Sequence, residues 1–327
     1  GSVGIYGELN NVTNNPFGVE VGAVGTSHGS IRNNGKIILS GDSAVGIVSK
    51  VTPPTLGDPL LFRGPEVILN GTGSSDIVTT GNDGIGVYAD NTKVTFETDY
   101  GVEVKDRGTG IFVEGNNPSL NDSKNFELKY SGAPTASAVA FFMNNKSTLP
   151  TSSMTNKMNI TLNDTVNNTE GLVGILAKGT AGDINNQGNI TGNAGYGIIS
   201  EGVEVRNSGN ITLNNPIDDV NKKESVGMYG TGAGTKVYNG TASNPNAVIK
   251  LNSSNTTGIY LDNGAYGYNY GTIKSNGAGL SRIVGVVVKN GSTIENHGHI
   301  DINALDARGI LSKGNLLGTN LGIIKNY

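Results

Sequence analysis

The sequence predicts an all-β solenoid, in which short parallel strands stack into coils. Two short phrases recur in turn along the chain, and their spacing of roughly 18 to 40 residues lies in the range of repeat proteins. The runs between the phrases favour β-branched residues and are too short for helices. Each repeat is therefore predicted to form one coil, and neighbouring coils are expected to complete a thin core.

The first phrase is a glycine followed by an aliphatic residue, a large apolar residue and usually a small residue. Copies of this phrase begin at Gly46, Gly86, Gly110, Gly174, Gly197, Gly227, Gly258, Gly285 and Gly309. Strict strand alternation would turn one of the two apolar residues outward. Because glycine in a strand often marks a bend, we expect the chain to bend there so that both apolar residues point inward. The alternative is a long apolar stripe that faces outward and is a candidate interface with a neighbouring segment of the full-length protein or with a partner.

The second phrase runs aliphatic, any residue, Asn, any residue, Gly, any residue, Ile. Clear copies begin at Ile31, Ile184, Val205 and Ile294. Because Asn and Gly tolerate positive φ, Asn-x-Gly predicts a fixed corner in the coil. Equivalent side chains of stacked strands lie above one another, so we expect an asparagine ladder whose amides bond from coil to coil. Its predicted members are Asn33, Asn185, Asn207 and Asn296.

The composition favours a single stacked domain. The chain of 327 residues contains 50 glycines and 43 asparagines, with a net charge of −4 and 15% charged residues. This low net charge, with periodic apolar residues, argues against disorder. Gly1 and Ser2 look like a cloning scar, and residues 3–327 are predicted to form one β-helix segment. Because the repeats begin and end incomplete, we expect a segment cut from a longer protein, without caps.

Several classes of function are excluded by what the sequence lacks. The chain contains no cysteine, so thiol catalysis and thiolate metal sites are not expected, and no cofactor or metal is predicted. No apolar run reaches the length of about 18 residues that a membrane span requires. The acidic balance and the lack of a Lys/Arg stripe argue against nucleic acid as a partner.

Asn/Gly-rich units with these two phrases resemble the passenger domains of type V autotransporters, in particular the very large adhesins of the fusobacterial kind. The resemblance covers residues 3–327. It implies a right-handed parallel β-helix, here of roughly 11–13 coils, displayed on the cell surface outside the Gram-negative outer membrane. It also implies a C-terminal translocator barrel in the full-length protein, outside this chain. The implied function is adhesion to glycans or proteins of host cells or other bacteria, and not catalysis.

Two other functions stay open. One is a ligand-free structural stalk that holds a distal adhesive tip away from the cell. The other is a carbohydrate-active enzyme, because pectate lyases and polygalacturonases are also parallel β-helices. Asp218-Asp219 and His297-Gly298-His299 resemble the paired-Asp and Gly-His-Gly motifs of polygalacturonases. Yet both histidines fill variable slots of the Asn phrase, and the aspartates lie in a polar loop, so we interpret them as surface residues.

Segments that depart from the repeat are the candidates for binding, because loops on a rigid scaffold carry much of protein function. Residues 51–65 include Leu56, Leu60 and Phe62. These side chains are too apolar for a loop that only contacts water. They form either a ligand-binding surface or a cover over an apolar face of the coil.

Three alternating tyrosines form the second candidate, Tyr266, Tyr268 and Tyr270. Alternate residues of an extended chain share one face. The three rings are therefore predicted to form a stacking platform for sugar rings or a hot spot for a protein partner. The alternative is that the rings cover a corner of the coil.

Overall fold

A computed structural model describes residues 2–9, 30–51, 65–115, 119–167, 169–214, 224–275, 277, 279–314 and 322–327. Over these residues the protein is all-β, with 31 strands. The strands form four sheets, which we name A to D, and strands that neighbour each other in a sheet come from successive coils. Pairing within the sheets is parallel, for example between Ile111 of one coil and Phe141 of the next. The fold is a parallel β-helix, which confirms the predicted fold class.

Sheet A has 11 strands, one from each coil, which agrees with the predicted number of coils. Its strands are β1 (Val3–Leu9), β4 (Val45–Val51), β7 (Ile85–Asp90), β10 (Thr109–Gly115), β12 (Val139–Asn145), β15 (Leu172–Gly179), β18 (Ala194–Glu201), β21 (Ser225–Thr231), β24 (Thr256–Asp262), β27 (Ile283–Lys289) and β30 (Arg308–Lys313).

Sheet B has ten strands. They are β3 (Ile37–Leu39), β6 (Ile77–Thr79), β9 (Tyr100–Val104), β11 (Asn125–Tyr130), β14 (Asn159–Asp164), β17 (Ile190–Gly192), β20 (Asn210–Leu213), β23 (Val248–Leu251), β26 (Thr272–Ser275) and β29 (His299–Asp301).

Sheets C and D supply the third strand of a coil, between a strand of sheet A and a strand of sheet B. Sheet C has seven strands and sheet D has three. Sheet C contains β13 (Ser153–Asn156), β16 (Asp183–Asn186), β19 (Glu204–Asn207), β22 (Lys236–Asn239), β25 (Tyr266–Asn269), β28 (Thr293–Asn296) and β31 (Ile323–Asn326). Sheet D contains β2 (Ser30–Asn33), β5 (Glu66–Leu69) and β8 (Val94–Phe96).

The core is a column of apolar side chains that point inward from each face. In β7, Val87 and Ala89 are buried, whereas Tyr88 and Asp90 between and after them are half-buried and turn outward. Phe126 of sheet B is buried in the same cluster. Because each coil adds only a few such residues, burial depends on the coils above and below, as is usual for solenoids.

The repeated glycine of sheet A is required by the close approach of adjacent coils. A Cβ atom on Gly227 would lie 2.5 Å from the carbonyl oxygen of Gly258 and 2.6 Å from Cγ2 of Ile249, a core residue. The glycine thus occupies an inward position that leaves no room for a side chain. Met228, which follows it, is also buried, and Tyr229 faces outward. The expectation that both apolar residues after the glycine point inward was therefore wrong, because the glycine itself takes an inward position and only the first apolar residue joins it inside.

Among the residues that the structure describes, no helix has the length and hydrophobicity needed to cross a membrane.

Candidate ligand-binding surface

Seven asparagines form a ladder along sheet C. The amide nitrogen of each of the first six donates a hydrogen bond to the amide oxygen of its equivalent in the next coil, at 2.7 Å from Asn186 to Asn207 and 2.9 Å from Asn239 to Asn269. The members, in chain order, are Asn156, Asn186, Asn207, Asn239, Asn269, Asn296 and Asn326. Because a buried amide without partners is costly, the ladder ties the coils together on this face.

The same amides hold the corner of the coil. Asn186 Nδ2 also donates to the carbonyl oxygen of Gly188 at 2.9 Å, and Asn207 Nδ2 donates to that of Gly209 at the same distance. A Cβ atom on Gly209 would overlap the carbonyl oxygen of Gly188. The Asn-x-Gly phrase therefore has two parts with different roles. The amide bonds both to the next coil and to the local turn, and the glycine, which has no side chain, lets the preceding coil approach.

The predicted ladder residues fall in three places. Asn207 and Asn296 are members of the ladder, but Asn185 is not, because its side chain points outward and donates to Ser153 Oγ at 2.7 Å. Its place in the ladder is taken by Asn186, since a shift of one residue moves a side chain to the other face of a strand. Asn33 is buried in sheet D and donates to Tyr100 Oη at 2.6 Å instead. Its register partner in the next coil is Leu69, so no ladder continues there.

The ladder places the residues before and after each asparagine on the outside of the rod. Near the end of sheet C several of these outward residues are aromatic, and we call this group the aromatic patch. It consists of Tyr238, Tyr266, Tyr268, Tyr270, His297 and Tyr327. Tyr270, His297 and Tyr327 occupy equivalent positions directly after a ladder asparagine, and the backbone N–H of each bonds to the asparagine carbonyl of the preceding coil. Tyr238 and Tyr268 precede a ladder asparagine and are register partners.

Two stacks of rings run along the patch. Tyr238 and Tyr268 are stacked, with centroids 4.5 Å apart and planes at 7°. Tyr270 and His297 have centroids 4.7 Å apart at 5°, and His297 and Tyr327 have centroids 4.4 Å apart at 6°. These separations are close to the spacing of about 4.8 Å between paired strands. The rings therefore stand upright on the sheet, with their faces toward adjacent coils.

This geometry decides which groups a ligand would meet. The stacked rings cover one another's faces, so they offer mainly ring edges and polar atoms to a partner. The guanidinium carbon of Arg206, 5.5 Å from the Tyr238 centroid, lies over one end of the first stack. Tyr266 takes part in neither stack and is 43% exposed. The predicted tyrosines thus share a face, but only Tyr266 resembles an open stacking platform, because the other rings are already paired.

The charges around the aromatic patch are balanced. Arg206 forms an ion pair with Asp183 at 2.7 Å and contacts Glu204. Lys325 pairs with Glu295 at 2.7 Å, and this contact holds the pKa of the Glu295 carboxyl below its usual range. His297 Nε2 lies 3.6 Å from the same carboxylate. Because the cations already have carboxylate partners, the patch is suited to an uncharged ligand surface.

Comparisons with protein-family models, with curated proteins and with solved structures find no match to this chain.

The other candidate residues do not join the aromatic patch. Leu56, Leu60 and Phe62 lie outside the described residues, as do Asp218 and Asp219. His297 is a member of the second ring stack, whereas the neighbouring His299 starts a strand of sheet B and is exposed there. The two histidines therefore lie on either side of a corner of the coil.

A polar depression lies near the other end of the rod. Its lining includes Asn34, Lys36, Asn70, Thr72 and Asp76. Asp76 is buried, but its carboxylate accepts hydrogen bonds from the backbone N–H groups of Thr72 and Gly101, at 2.7 and 2.9 Å, and from the Thr72 hydroxyl. Because both carboxylate oxygens are engaged by the protein, Asp76 stabilises the loop and is poorly placed as a catalytic base.

An alkaline titration is expected to detect Tyr238. Burial, with a smaller effect of Glu204, raises the pKa of this phenol to about 12, whereas a tyrosine of an unfolded chain ionises near pH 10. A raised pKa in the folded state stabilises the fold fully below the unfolded pKa, and this contribution is lost as the pH rises from about 10 to about 12. In an alkaline titration followed by the ultraviolet absorbance of phenolate, we expect Tyr238→Phe to show one tyrosine fewer that ionises near pH 12 than the unchanged protein does. Loss of a tyrosine that ionises near pH 10 in the folded protein would contradict the assignment.

Proposed function

We propose that this chain is a rod-like segment of a surface-displayed adhesin of the autotransporter type, and that the aromatic patch is its ligand-binding surface. The expected ligand is a glycan or protein on the surface of a host cell or another bacterium. The β-helix acts as the rigid scaffold, and the patch supplies the contacts.

The observation that carries this proposal is the concentration of aromatic residues on one face of four adjacent coils of sheet C. Tyr266 is 43% exposed and Tyr327 is 71% exposed. Phenol groups combine an apolar body with a polar tip, which is why tyrosine is frequent where proteins bind partners. Tyr266 offers contact area to a sugar ring or an apolar side chain, and the edges of the stacked rings beside it offer hydroxyl groups for hydrogen bonds.

The proposal is tested by binding of the purified protein to a broad glycan array and to intact host and bacterial cells. The test variant carries Tyr266→Ala, Tyr268→Ala and Tyr270→Ala. We expect the variant to lose at least about tenfold in affinity, since truncation of a hot-spot residue commonly costs 2 kcal/mol or more.

A matched control removes three outward side chains from the other end of the same sheet, by Ser153→Ala, Thr155→Ala and Asn185→Ala. This control is expected to bind like the unchanged protein, provided that both variants show the same circular dichroism. Binding that is equal in the patch variant and the unchanged protein would reject the patch as the site. Absence of binding by the folded, unchanged protein would favour the stalk.

The structural stalk is a second candidate, and the two ring stacks favour it. Stacked aromatic pairs contribute about 0.5–1.5 kcal/mol beyond the area they bury, so the rings of the patch strengthen contacts between coils whether or not a ligand binds. On this alternative, substitutions in the patch lower thermal stability and leave adhesion of the full-length protein unchanged.

A further inference from the structure

A continuous row of large apolar residues runs along the outside of sheet A, and we call it the outer stripe. Each member is the second residue after the position of the repeated glycine, and each is the register partner of the next. The members are Val48, Tyr88, Phe112, Phe142, Leu176, Ile199, Tyr229, Tyr260, Val287 and Leu311. With about 4.8 Å between paired strands, the stripe extends over roughly 43 Å.

The outer stripe is separate from the core. Val87 and Ile111 of the same strands point inward and are buried, whereas Tyr88 and Phe112 are only half-buried. Rings of the stripe contact each other along the sheet, with centroids 4.3 Å apart for Phe112 and Phe142 and 5.6 Å apart for Tyr229 and Tyr260. Val48 and Val287 are buried, at 8% and 1% exposure, so the continuous half-buried part of the outer stripe runs from Tyr88 to Tyr260.

The outward positions of sheet B show that the fold does not require such a stripe. There a comparable outward row carries polar and charged residues, namely Glu127, Thr161, Thr191, Thr212 and Lys250. The largest apolar patch of a typical monomer covers about 300–600 Å² and is often functional. The half-buried residues of the outer stripe follow one another from Tyr88 to Tyr260 with no polar residue between them, which marks this row as a candidate interaction surface.

We propose that the outer stripe is the interface through which two copies of this chain associate face to face. Sheets with apolar faces pack about 10 Å apart, and good packing over a long row requires a partner whose side chains recur at the same spacing. A second copy of the chain presents this same row. A globular partner would match it over only a few coils.

Charge at the edge of the outer stripe is compatible with self-association. The next outward row, two residues further along each strand, carries Lys50, Lys178, Lys289 and Lys313 together with Asp90, Glu114, Glu201 and Asp262. The four cations and four carboxylates balance in this row, so two copies do not meet with like net charge. A row of charges of one sign would repel the same row on a second copy. The charges of this row sum to zero, so this repulsion does not arise.

The size of the surface sets the expected strength. The accessible run from Tyr88 to Tyr260 forms a strip of roughly 29 Å by 12 Å, which covers about 350 Å² on each copy, or about 700 Å² in total, and lies in the range of weak, transient interfaces. The dimer is accordingly weak and reversible, with a dissociation constant in the micromolar range.

Sedimentation velocity over a micromolar concentration series tests the proposal. The test variant is Leu176→Glu with Tyr229→Glu, which places two charges on the outer stripe with one coil between them. The matched control is Thr161→Glu with Thr212→Glu, which has the same spacing on the outside of sheet B. We expect the unchanged protein and the control to dimerise alike, and the stripe variant to dissociate at least about tenfold more readily.

A monomeric unchanged protein at the highest concentration would overturn the proposal. Equal weakening in both variants, or equal dimerisation of the stripe variant and the unchanged protein, would also overturn it.

Cross-linking gives a second test that does not depend on the charged variant folding. The chain has no cysteine, and Leu176 lies on the sixth of the 11 strands of sheet A, near the middle of the stripe. Diamide, which accepts the two electrons of disulfide formation, is expected to convert Leu176→Cys into a covalent dimer. Ile38→Cys is the control, because Ile38 is 65% exposed on sheet B. Cross-linking of the control at the same rate, or no dimer from Leu176→Cys, would refute the interface.

Discussion

Replacing Asn186 by alanine is expected to lower the free energy of unfolding by about 1–3 kcal/mol, because it leaves buried groups on both sides without partners. Asn186 accepts a hydrogen bond from Asn156 at 2.8 Å and donates to Asn207 at 2.7 Å and to the Gly188 carbonyl at 2.9 Å. Truncation removes all three bonds and opens the corner of one coil. Urea unfolding followed by circular dichroism measures the loss.

The adjacent residue supplies the control for this prediction. Asn185→Ala removes the same amide from the same strand, but from its outward face, where the side chain bonds to Ser153 and Asp183. Surface substitutions usually change stability by less than about 0.5 kcal/mol. Equal losses of stability for the two variants would mean that the ladder contributes no more than an outward amide does.

Replacing Phe126 by alanine is expected to have the largest effect of the substitutions considered, a loss of about 3–5 kcal/mol. Phe126 is fully buried in sheet B, with its ring centroid 4.7 Å from that of Phe141 and 6.5 Å from that of Phe96. Its ring also fills the space that a side chain on Gly110 would need. Alanine would leave a cavity in a core that is only a few side chains wide.

The control for Phe126 is Phe142→Ala, on the outside of sheet A. Phe142 is half-buried and stacked on Phe112 at 4.3 Å, so its loss is expected to cost about 1 kcal/mol, the value typical of an aromatic pair. Because solenoids can unfold in parts, hydrogen exchange of β11 and its neighbours is measured together with thermal unfolding. Equal destabilisation by both substitutions would contradict the assignment of inward and outward faces.

The repeats made the fold predictable because each phrase has a direct steric or hydrogen-bonding cause. The glycine of sheet A recurs since the carbonyl of the next coil lies too close for a Cβ atom, as at Gly227 and Gly258. The asparagine of the corner recurs since its amide satisfies both the next coil and the local turn, as at Asn207. Both requirements are met within a few residues, and such local requirements are visible in a sequence.

The details of the site depend on the faces of strands and on contacts between coils, which are harder to read. Asn185 and Asn186 are adjacent asparagines, and Asn186 is the one at the asparagine position of the phrase that begins at Ile184, so aligning the copies of the phrase would have identified the buried residue. Three members of the aromatic patch, Tyr238, His297 and Tyr327, were not predicted, because ring partners are 30 or 27 residues apart in the chain. The sequence did contain a signal for these residues, because Tyr238, His297 and Tyr327 each lie directly beside a ladder asparagine.

The outer stripe shows a different reason for a wrong expectation. Alternation alone left two arrangements after each glycine, and the choice depended on whether glycine itself occupies an inward place. The structure puts Gly227 and Met228 inside and Tyr229 outside. Glycine has no side chain, so the alternation of apolar and polar residues does not show which way it faces. The outward direction of Tyr229 can be inferred only from the close contact between Gly227 and Gly258.

The amides of the asparagine ladder all donate in the same sense along the rod, from Asn156 toward Asn326. Hydrogen bonds in such a chain polarise one another, so each coil is most stable when the coils on both sides of it are in place. The molecule is then described by a one-dimensional lattice of coupled units and not by a single cooperative globule. In this description, a folded coil acts as a template for the next, and order is expected to spread along the axis in the way that a crystal grows at its end.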